Sequence, residues 1–116
     1  MRRNKFNARK TVVDGVTFDS GAEARRWGEL LILERTGAIN CLQRQVPFAL
    51  VPGVKIKGEM RARPAVRWRA DFVYREKGVQ VIEDVKSKVT AKLETFRRTQ
   101  HLMLAILGLE ITVVIR

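Results

Sequence analysis

The chain has 116 residues, which is the size of one small domain with a single core. Hydrophobic residues make up 46% and charged residues 30%, a composition that is typical of a folded protein and excludes a disordered one. Lysine and arginine number 23 against 12 aspartate and glutamate, so the net charge is +11. An excess of that size favours a polyanionic partner, and nucleic acid is the simplest candidate.

Cysteine and histidine occur once each, as Cys41 and His101. This excludes an intramolecular disulfide, a cysteine zinc site and a two-histidine metal motif within one chain, and Cys41 is expected to be a small buried hydrophobe. Neither a membrane-spanning run nor the hydrophobic stretch of a signal peptide is found in the sequence. We therefore expect a cytoplasmic protein whose chemistry depends on carboxylates, lysines or hydroxyls.

The first ten residues are rich in basic side chains and contain no acid. This composition predicts a flexible basic arm over residues 1–10, followed by a single domain over residues 11–116. Two further basic segments lie at residues 55–69 and 86–98. The alternative is that these segments are only solvated surface, but three basic clusters in one small domain favour a nucleic-acid contact. The arm residues that we expect to touch DNA are Arg2, Arg3, Lys5, Arg9 and Lys10.

A short hairpin with an Asp-Gly turn is predicted at residues 11–18. A helix should begin after Ser20, because Glu23 follows three residues later in the spacing of a capping box. Gly37 predicts the end of that helix.

Four strand-like segments follow, at residues 39–45, 48–51, 66–74 and 79–85. Pro47 predicts a break between the first two. Gln43 and Gln45 alternate within the first segment and are either polar sheet positions or neighbours of a site.

The last predicted elements are a second helix and a final strand. Thr90 can cap the helix and Gly108 can end it, and the nearly all-apolar segment 111–115 predicts a buried strand. The element order is ββ-α-βββ(β)-α-β. This order predicts an α/β fold with a mixed central β-sheet flanked by two main helices.

Two aspartates lie on the hairpin formed by the strands at 66–74 and 79–85. A two-residue Lys-Gly turn would place Asp71 directly opposite Asp84, whereas a turn one residue different would place Glu83 there. Strand alternation also puts Asp84 and Lys86 on one face. Facing carboxylates repel each other unless a positive charge lies between them, and a divalent cation suits their hard oxygens. The alternative is a solvated edge with an arginine near each acid, although the surrounding apolar sequence argues against it.

Asp71 followed by Asp84, Val85 and Lys86 resembles the signature of the PD-(D/E)XK nuclease superfamily, here without the proline before the first aspartate. The predicted element order is also similar, so the resemblance extends over roughly residues 16–116. The chain resembles small phage-borne members, and its size and layout are similar to those of archaeal-type Holliday junction resolvases. The resemblance implies a restriction-endonuclease-like core.

In that superfamily the two acids bind Mg²⁺, and the lysine assists the attacking water. The resemblance therefore implies that Asp71, Asp84 and the Val85 carbonyl hold Mg²⁺, that Mn²⁺ substitutes for it, and that Lys86 is catalytic. Glu23 is similar to the further acid that many members supply from the first helix. Its alternative role is helix capping alone.

The function that this resemblance implies is a Mg²⁺-dependent, structure-selective DNA endonuclease, most specifically a Holliday junction resolvase. It would act in the cytoplasm, that of a bacterial host if the chain is phage-encoded. The alternatives are another nuclease of the same core, with a nicking, repair or packaging role, and a non-catalytic basic nucleic-acid-binding module. Further expected DNA contacts are Arg67, Arg69, Lys88, Lys92 and Arg97.

Symmetric cutting of a four-way junction needs two active sites, so we expect a homodimer. A sheet edge and the second helix, with Phe96, Met103 and Leu104, are the candidate interface surfaces. We expect neither a membrane nor a small-molecule substrate as a partner.

Overall fold

The computed structural model of the chain describes residues 10–116. Its elements in chain order are β1 (Thr11–Val13), β2 (Val16–Phe18), α1 (Gly21–Arg35), β3 (Asn40–Val51), β4 (Val66–Glu76), β5 (Val79–Lys86), α2 (Lys88–Ala91), α3 (Glu94–Leu102), a π-helical turn (Met103–Leu107) and β6 (Thr112–Ile115). The short strands β1 and β2 form a hairpin of their own. The main sheet has the order β3-β4-β5-β6, antiparallel except for the parallel β5–β6 pair. The predicted α/β fold with a mixed central sheet is confirmed.

Two apolar clusters form the core. The first joins α1 to the sheet through Phe18, Leu30 and Phe72, which are fully buried, and Trp27 stacks on Phe72 with ring centroids 5.8 Å apart. The second joins the sheet to the turn after α3 and is centred on the fully buried Met103. Burying each large apolar side chain stabilises the fold by about 2 kcal/mol, so both helical layers are fixed to the sheet.

Helix α1 begins and ends where its sequence signals predict. Ser20 Oγ accepts a hydrogen bond from the Glu23 backbone N–H at 3.1 Å. At the other end the Gly37 N–H donates to Glu34 O, and Gly37 adopts a φ of +85°, a conformation that glycine reaches without strain.

The predicted break at Pro47 is wrong, because β3 continues through it as one strand. Since β3 is an edge strand, it has a hydrogen-bonded neighbour on one side only, and proline is tolerated in such a strand. The prediction of a buried Cys41 is also wrong. Cys41 is exposed and has a φ of 56°, at a place where the β3–β4 register shifts.

The second helix differs from its prediction in its start and continuity. Ser87, not Thr90, is the N-cap, since its hydroxyl accepts from the Thr90 N–H at 3.1 Å. The short α2 then stops, and α3 begins after Leu93. Gly108 ends the helical segment with a φ of 67°, as predicted.

Strand β6 was expected to be buried, and this is wrong. It lies at the sheet edge beside β5, and Ile115 is 45% exposed. Two of the three predicted interface residues are also misplaced, because Phe96 and Met103 belong to the buried core, whereas Leu104 is 50% exposed. The homodimer itself stays a prediction.

Of the predicted basic arm, residues 1–9 lie outside the part of the chain that the structure describes, and Lys10 is exposed. No helix among residues 10–116 is both long enough and apolar enough to cross a membrane.

Candidate functional site

The β4–β5 turn sets the register of the site. Lys77 and Gly78 have φ values of 52° and 78°, as a tight two-residue hairpin turn requires. This turn pairs Phe72 with Glu83, so the next position places Asp71 opposite Asp84. The structure therefore has the predicted register, and the alternative with Glu83 opposite Asp71 is not the one that forms.

The two aspartates are held by backbone amides of the opposite strand. The Asp71 N–H donates to Asp84 Oδ1 at 3.2 Å, and the Val85 N–H donates to Asp71 Oδ2 at 2.8 Å. Asp84 is 2% exposed. The carboxylates thus face each other at the place where the regular ladder between β4 and β5 ends, rather than on a solvated edge.

Lys86 lies on the same face of β5 as Asp84. Its Nζ is 2.8 Å from Asp84 Oδ2 and 4.9 Å from the centre of the Phe96 ring, so α3 helps to hold the ammonium group. Asp84 Oδ2 is buried and accepts no hydrogen bond among residues 10–116, so its close polar contact is the ion pair with Lys86.

Glu23 lies in the first turn of α1, near enough to Asp71 and Asp84 for their charges to interact. The helix cap uses the backbone N–H of Glu23, a residue that is only 4% exposed, and its carboxylate accepts a hydrogen bond from Gln45 Nε2 at 3.0 Å. Arg44 lies 4.0 Å from the same oxygen. The structure thus gives Glu23 a second environment besides the helix cap, and it makes Gln45 a neighbour of the site.

Neighbouring carboxylates and burial destabilise the charged forms of Asp71 and Glu23. Burial, followed by the charges of Asp84 and Glu23, raises the pKa of Asp71. Burial also raises the pKa of Glu23, and Asp19 and Asp84 add to that effect while Arg44 opposes it. A cation placed among these groups would relieve the repulsion.

Replacing Asp71 by asparagine is expected to stabilise the metal-free protein at neutral and alkaline pH. Because the pKa of Asp71 is raised on folding, the native state keeps its proton to higher pH than the unfolded state, and wild-type stability falls as the pH rises above 3.8. The stabilisation of Asp71→Asn should therefore grow from pH 5 to pH 8 and reach about 1–3 kcal/mol. Urea unfolding across this range in EDTA measures it. An equal difference at every pH would contradict the repulsion.

The donor set fits a hard divalent cation. Asp71, Asp84 and Glu23 could supply carboxylate oxygens to it, and Asp84 Oδ2 accepts no hydrogen bond among residues 10–116. Within residues 10–116, no three acidic, histidine or cysteine side chains already form a metal-binding group. Two of the aspartate oxygens, Asp84 Oδ1 and Asp71 Oδ2, accept hydrogen bonds from backbone amides, which fixes the orientation of both carboxylates.

Gln45 has a φ of 52°, which is strained for a residue with a side chain. Gln45→Ala keeps the strain and loses the contact with Glu23, so we expect it to lower the free energy of unfolding by about 1 kcal/mol. Gln45→Gly relieves the strain and should be less destabilised. If Gln45 positions Glu23, both variants should also slow the DNA cleavage that the sequence resemblance implies. Two variants with wild-type activity would show that the contact is only structural.

Glu83 has a different role from its neighbour Asp84. It is 1% exposed and points to the α1 side, where Arg26 Nε and a terminal nitrogen donate to its two oxygens at 2.9 and 2.6 Å. The Tyr74 hydroxyl donates to the same carboxylate. Arg26 also binds Glu29 at 2.9 Å. Glu83 and Asp84 point to opposite faces of β5 because side chains alternate along a strand. The sequence did not identify Arg26 as the partner of Glu83.

The predicted DNA-contacting residues within the described part of the chain are exposed. Arg67 and Arg69 precede Asp71 along β4 and are exposed, whereas Trp68 and Ala70, which alternate with them, pack in the second apolar cluster. Lys88 and Arg97 lie on α2 and α3, and Lys92 follows α2. These positions leave their charges accessible, and their contact with DNA stays a prediction.

Comparison with curated proteins and with solved structures gave no match. A family model described as "Protein of unknown function (DUF1064)" matches residues 3–115, which is nearly the whole chain. The chain therefore belongs to the DUF1064 family.

Proposed function

We propose that the protein is a divalent-metal-dependent DNA endonuclease with Asp71, Asp84, Lys86 and Glu23 at its catalytic centre. One observation carries the proposal. Two facing aspartates are held by each other's strands, and Lys86 lies 2.8 Å from a buried Asp84 oxygen that has no hydrogen-bond donor among the described residues. Two acids held close together inside a fold lower its stability, and such unfavourable arrangements are typical of functional sites.

Mg²⁺ is the cofactor that this donor set suits, with Mn²⁺ as a substitute, and Asp71, Asp84, Glu23 and the Val85 carbonyl would hold it. When bound, such an ion polarises the scissile phosphate and lowers the pKa of a water molecule.

The remaining chemistry belongs to side chains of this chain. Lys86 presents an ammonium group, steadied by Phe96, where it can orient the attacking water or stabilise the negative charge that develops on the phosphate. Gln45 donates to Glu23 and so fixes one carboxylate oxygen, and the Val85 N–H does the same for Asp71. These contacts order the acids before DNA binds, which reduces the cost of ordering them during the reaction.

Branched DNA, and in particular the four-way junction, is the substrate that we propose. The exposed Arg67, Arg69, Lys88, Lys92 and Arg97 suit phosphate contacts, which position DNA but do not read its sequence. Symmetric cutting of a junction needs two centres, so the proposal includes a homodimer acting in the cytoplasm.

The substrate class is tested by comparing a labelled four-way junction with linear duplex of the same sequence, each in Mg²⁺ and in EDTA. We expect Mg²⁺-dependent cleavage of the junction and little cleavage of the duplex. Equal cleavage of both would contradict junction selectivity and indicate another nuclease of this kind. Tight binding without cleavage in Mg²⁺ or Mn²⁺ would favour a non-catalytic nucleic-acid-binding module, an alternative that the net charge of +11 also suits.

A further inference from the structure

The segment between β3 and β4, residues 52–65, forms an exposed arm. Within it only Glu59 and Ala65 are even half-buried. Three apolar side chains of this segment face water: Met60 is 97% exposed, Val54 49% and Ile56 39%. A single exposed apolar residue needs no explanation, but three on one short segment that the core does not use suggest a contact surface.

The β3–β4 arm is nevertheless ordered by its own contacts. Val54 and Arg63 exchange backbone hydrogen bonds at 3.0 and 2.6 Å. Gly53 permits this close approach, because a Cβ there would lie 2.8 Å from the Arg63 carbonyl oxygen. An ordered arm presents its side chains without the full entropic cost of folding on a partner.

The charges of the arm are arranged to leave a positive surface. Its one acid, Glu59, is bound by Arg63 at 3.1 and 2.6 Å, and Lys55 Nζ donates to the Glu59 carbonyl. Lys57 and Arg61 are exposed on either side of this pair, close in sequence to Met60.

The positive surface continues toward the acidic site. Beyond the arm, Arg67 and Arg69 are exposed on β4, four and two residues before Asp71. From Arg67 to Asp71 the strand rises by about 13 Å, so these two arginines connect the β4 end of the arm with the proposed cutting site. The basic line from the arm to Asp71 favours DNA over a membrane surface, which would need a wider apolar face.

We propose that the β3–β4 arm enters DNA at a branch point, where Met60 packs as an apolar wedge against an open base pair and Lys57 and Arg61 bind the flanking phosphates. This inference rests on the proposed function for its substrate. Apolar side chains that enter a base step unstack it, and base pairs at a branch already have one open face, so the cost of entry is lowest there.

The test uses a four-way junction with 2-aminopurine at the branch, and linear duplex with the same label, both in EDTA. Wild type should bind the junction and raise its fluorescence by unstacking the base. Met60→Ser should abolish that rise and weaken junction binding by about 10-fold, because base contacts of this kind carry about one power of ten in affinity. Its binding to duplex should not change. Ile32→Ser is the matched control, since Ile32 is an exposed apolar residue on α1, 58% exposed.

A second variant, Lys57→Gln with Arg61→Gln, should weaken binding to both DNA forms and reduce the slope of log affinity against log salt by about 2. Arg35→Gln, at the far end of α1, controls for the loss of charge. The arm proposal is overturned if Met60→Ser behaves like Ile32→Ser, or if Met60 is needed for binding to phosphatidylserine vesicles and not for binding to the junction. Binding in EDTA does not require cleavage. A wild type that unstacks the branch but never cuts would therefore support the arm and overturn the nuclease.

Discussion

Asp84→Asn is expected to reduce Mg²⁺-dependent DNA cleavage by about 10³-fold while the protein stays folded. Asparagine keeps an oxygen that can accept from the Asp71 N–H, and it removes one of the two facing charges. It also removes the buried carboxylate oxygen that lies beside Lys86. Single-turnover cleavage in Mg²⁺, with the melting temperature of each sample, measures both effects.

Asp14→Asn is the matched control for this change. Asp14 lies in the exposed β1–β2 turn with a φ of 50°, a conformation that asparagine tolerates as well as aspartate. It should cleave at the wild-type rate. If Asp84→Asn also cleaved at that rate, the assignment of the catalytic centre would be wrong.

Replacing Glu83, the residue next to Asp84, should affect stability rather than cleavage. Glu83→Gln is expected to lower the free energy of unfolding by about 3 kcal/mol. Glu83 is 1% exposed and forms two hydrogen bonds with Arg26 and one with Tyr74. A neutral amide leaves Arg26 partly buried without its main counter-charge. Urea unfolding at pH 7 measures the loss, and the cleavage rate per folded molecule should stay close to that of wild type.

Two further variants help to interpret the loss of stability of Glu83→Gln. Tyr74→Phe removes one hydrogen bond from the same carboxylate and should cost about 1 kcal/mol. Glu76→Gln, on an exposed position of β4, should cost almost nothing. A Glu83→Gln variant no less stable than Glu76→Gln would contradict the buried ion pair.

Local signals were sufficient to predict the elements that position the site. Ser20 and Gly37 mark the limits of α1 because capping depends on a few neighbouring residues. The Lys77-Gly78 turn fixes the β4–β5 register for the same reason, and with it the pairing of Asp71 and Asp84.

The errors concern residues whose environment depends on distant parts of the chain. Pro47 is tolerated because β3 lies at a sheet edge, and Ile115 is exposed because β6 lies at the other edge. Strand order is not a local property, so neither result follows from the segment alone. Helix patterning likewise could not show which apolar residues of α3 and the following turn would be buried, such as Met103.

Within the candidate site, the residue types and their alternation were predictable, whereas the supporting contacts were not. The contact of Gln45 with Glu23 and that of Arg26 with Glu83 each join elements that are far apart in sequence. Their sequence signals are only a polar residue on a strand and a basic residue on a helix. Both patterns are common on protein surfaces.

The central claim is that the facing aspartates form a metal-dependent nuclease centre. Its most direct test is the rate of phosphodiester cleavage in Mg²⁺ by wild type and by Asp71→Asn, on the DNA form that wild type binds most tightly. We predict cleavage by wild type that EDTA abolishes, and no cleavage by Asp71→Asn despite DNA binding of wild-type strength. Equal cleavage by the two proteins, or cleavage by wild type that persists in EDTA, would contradict the claim.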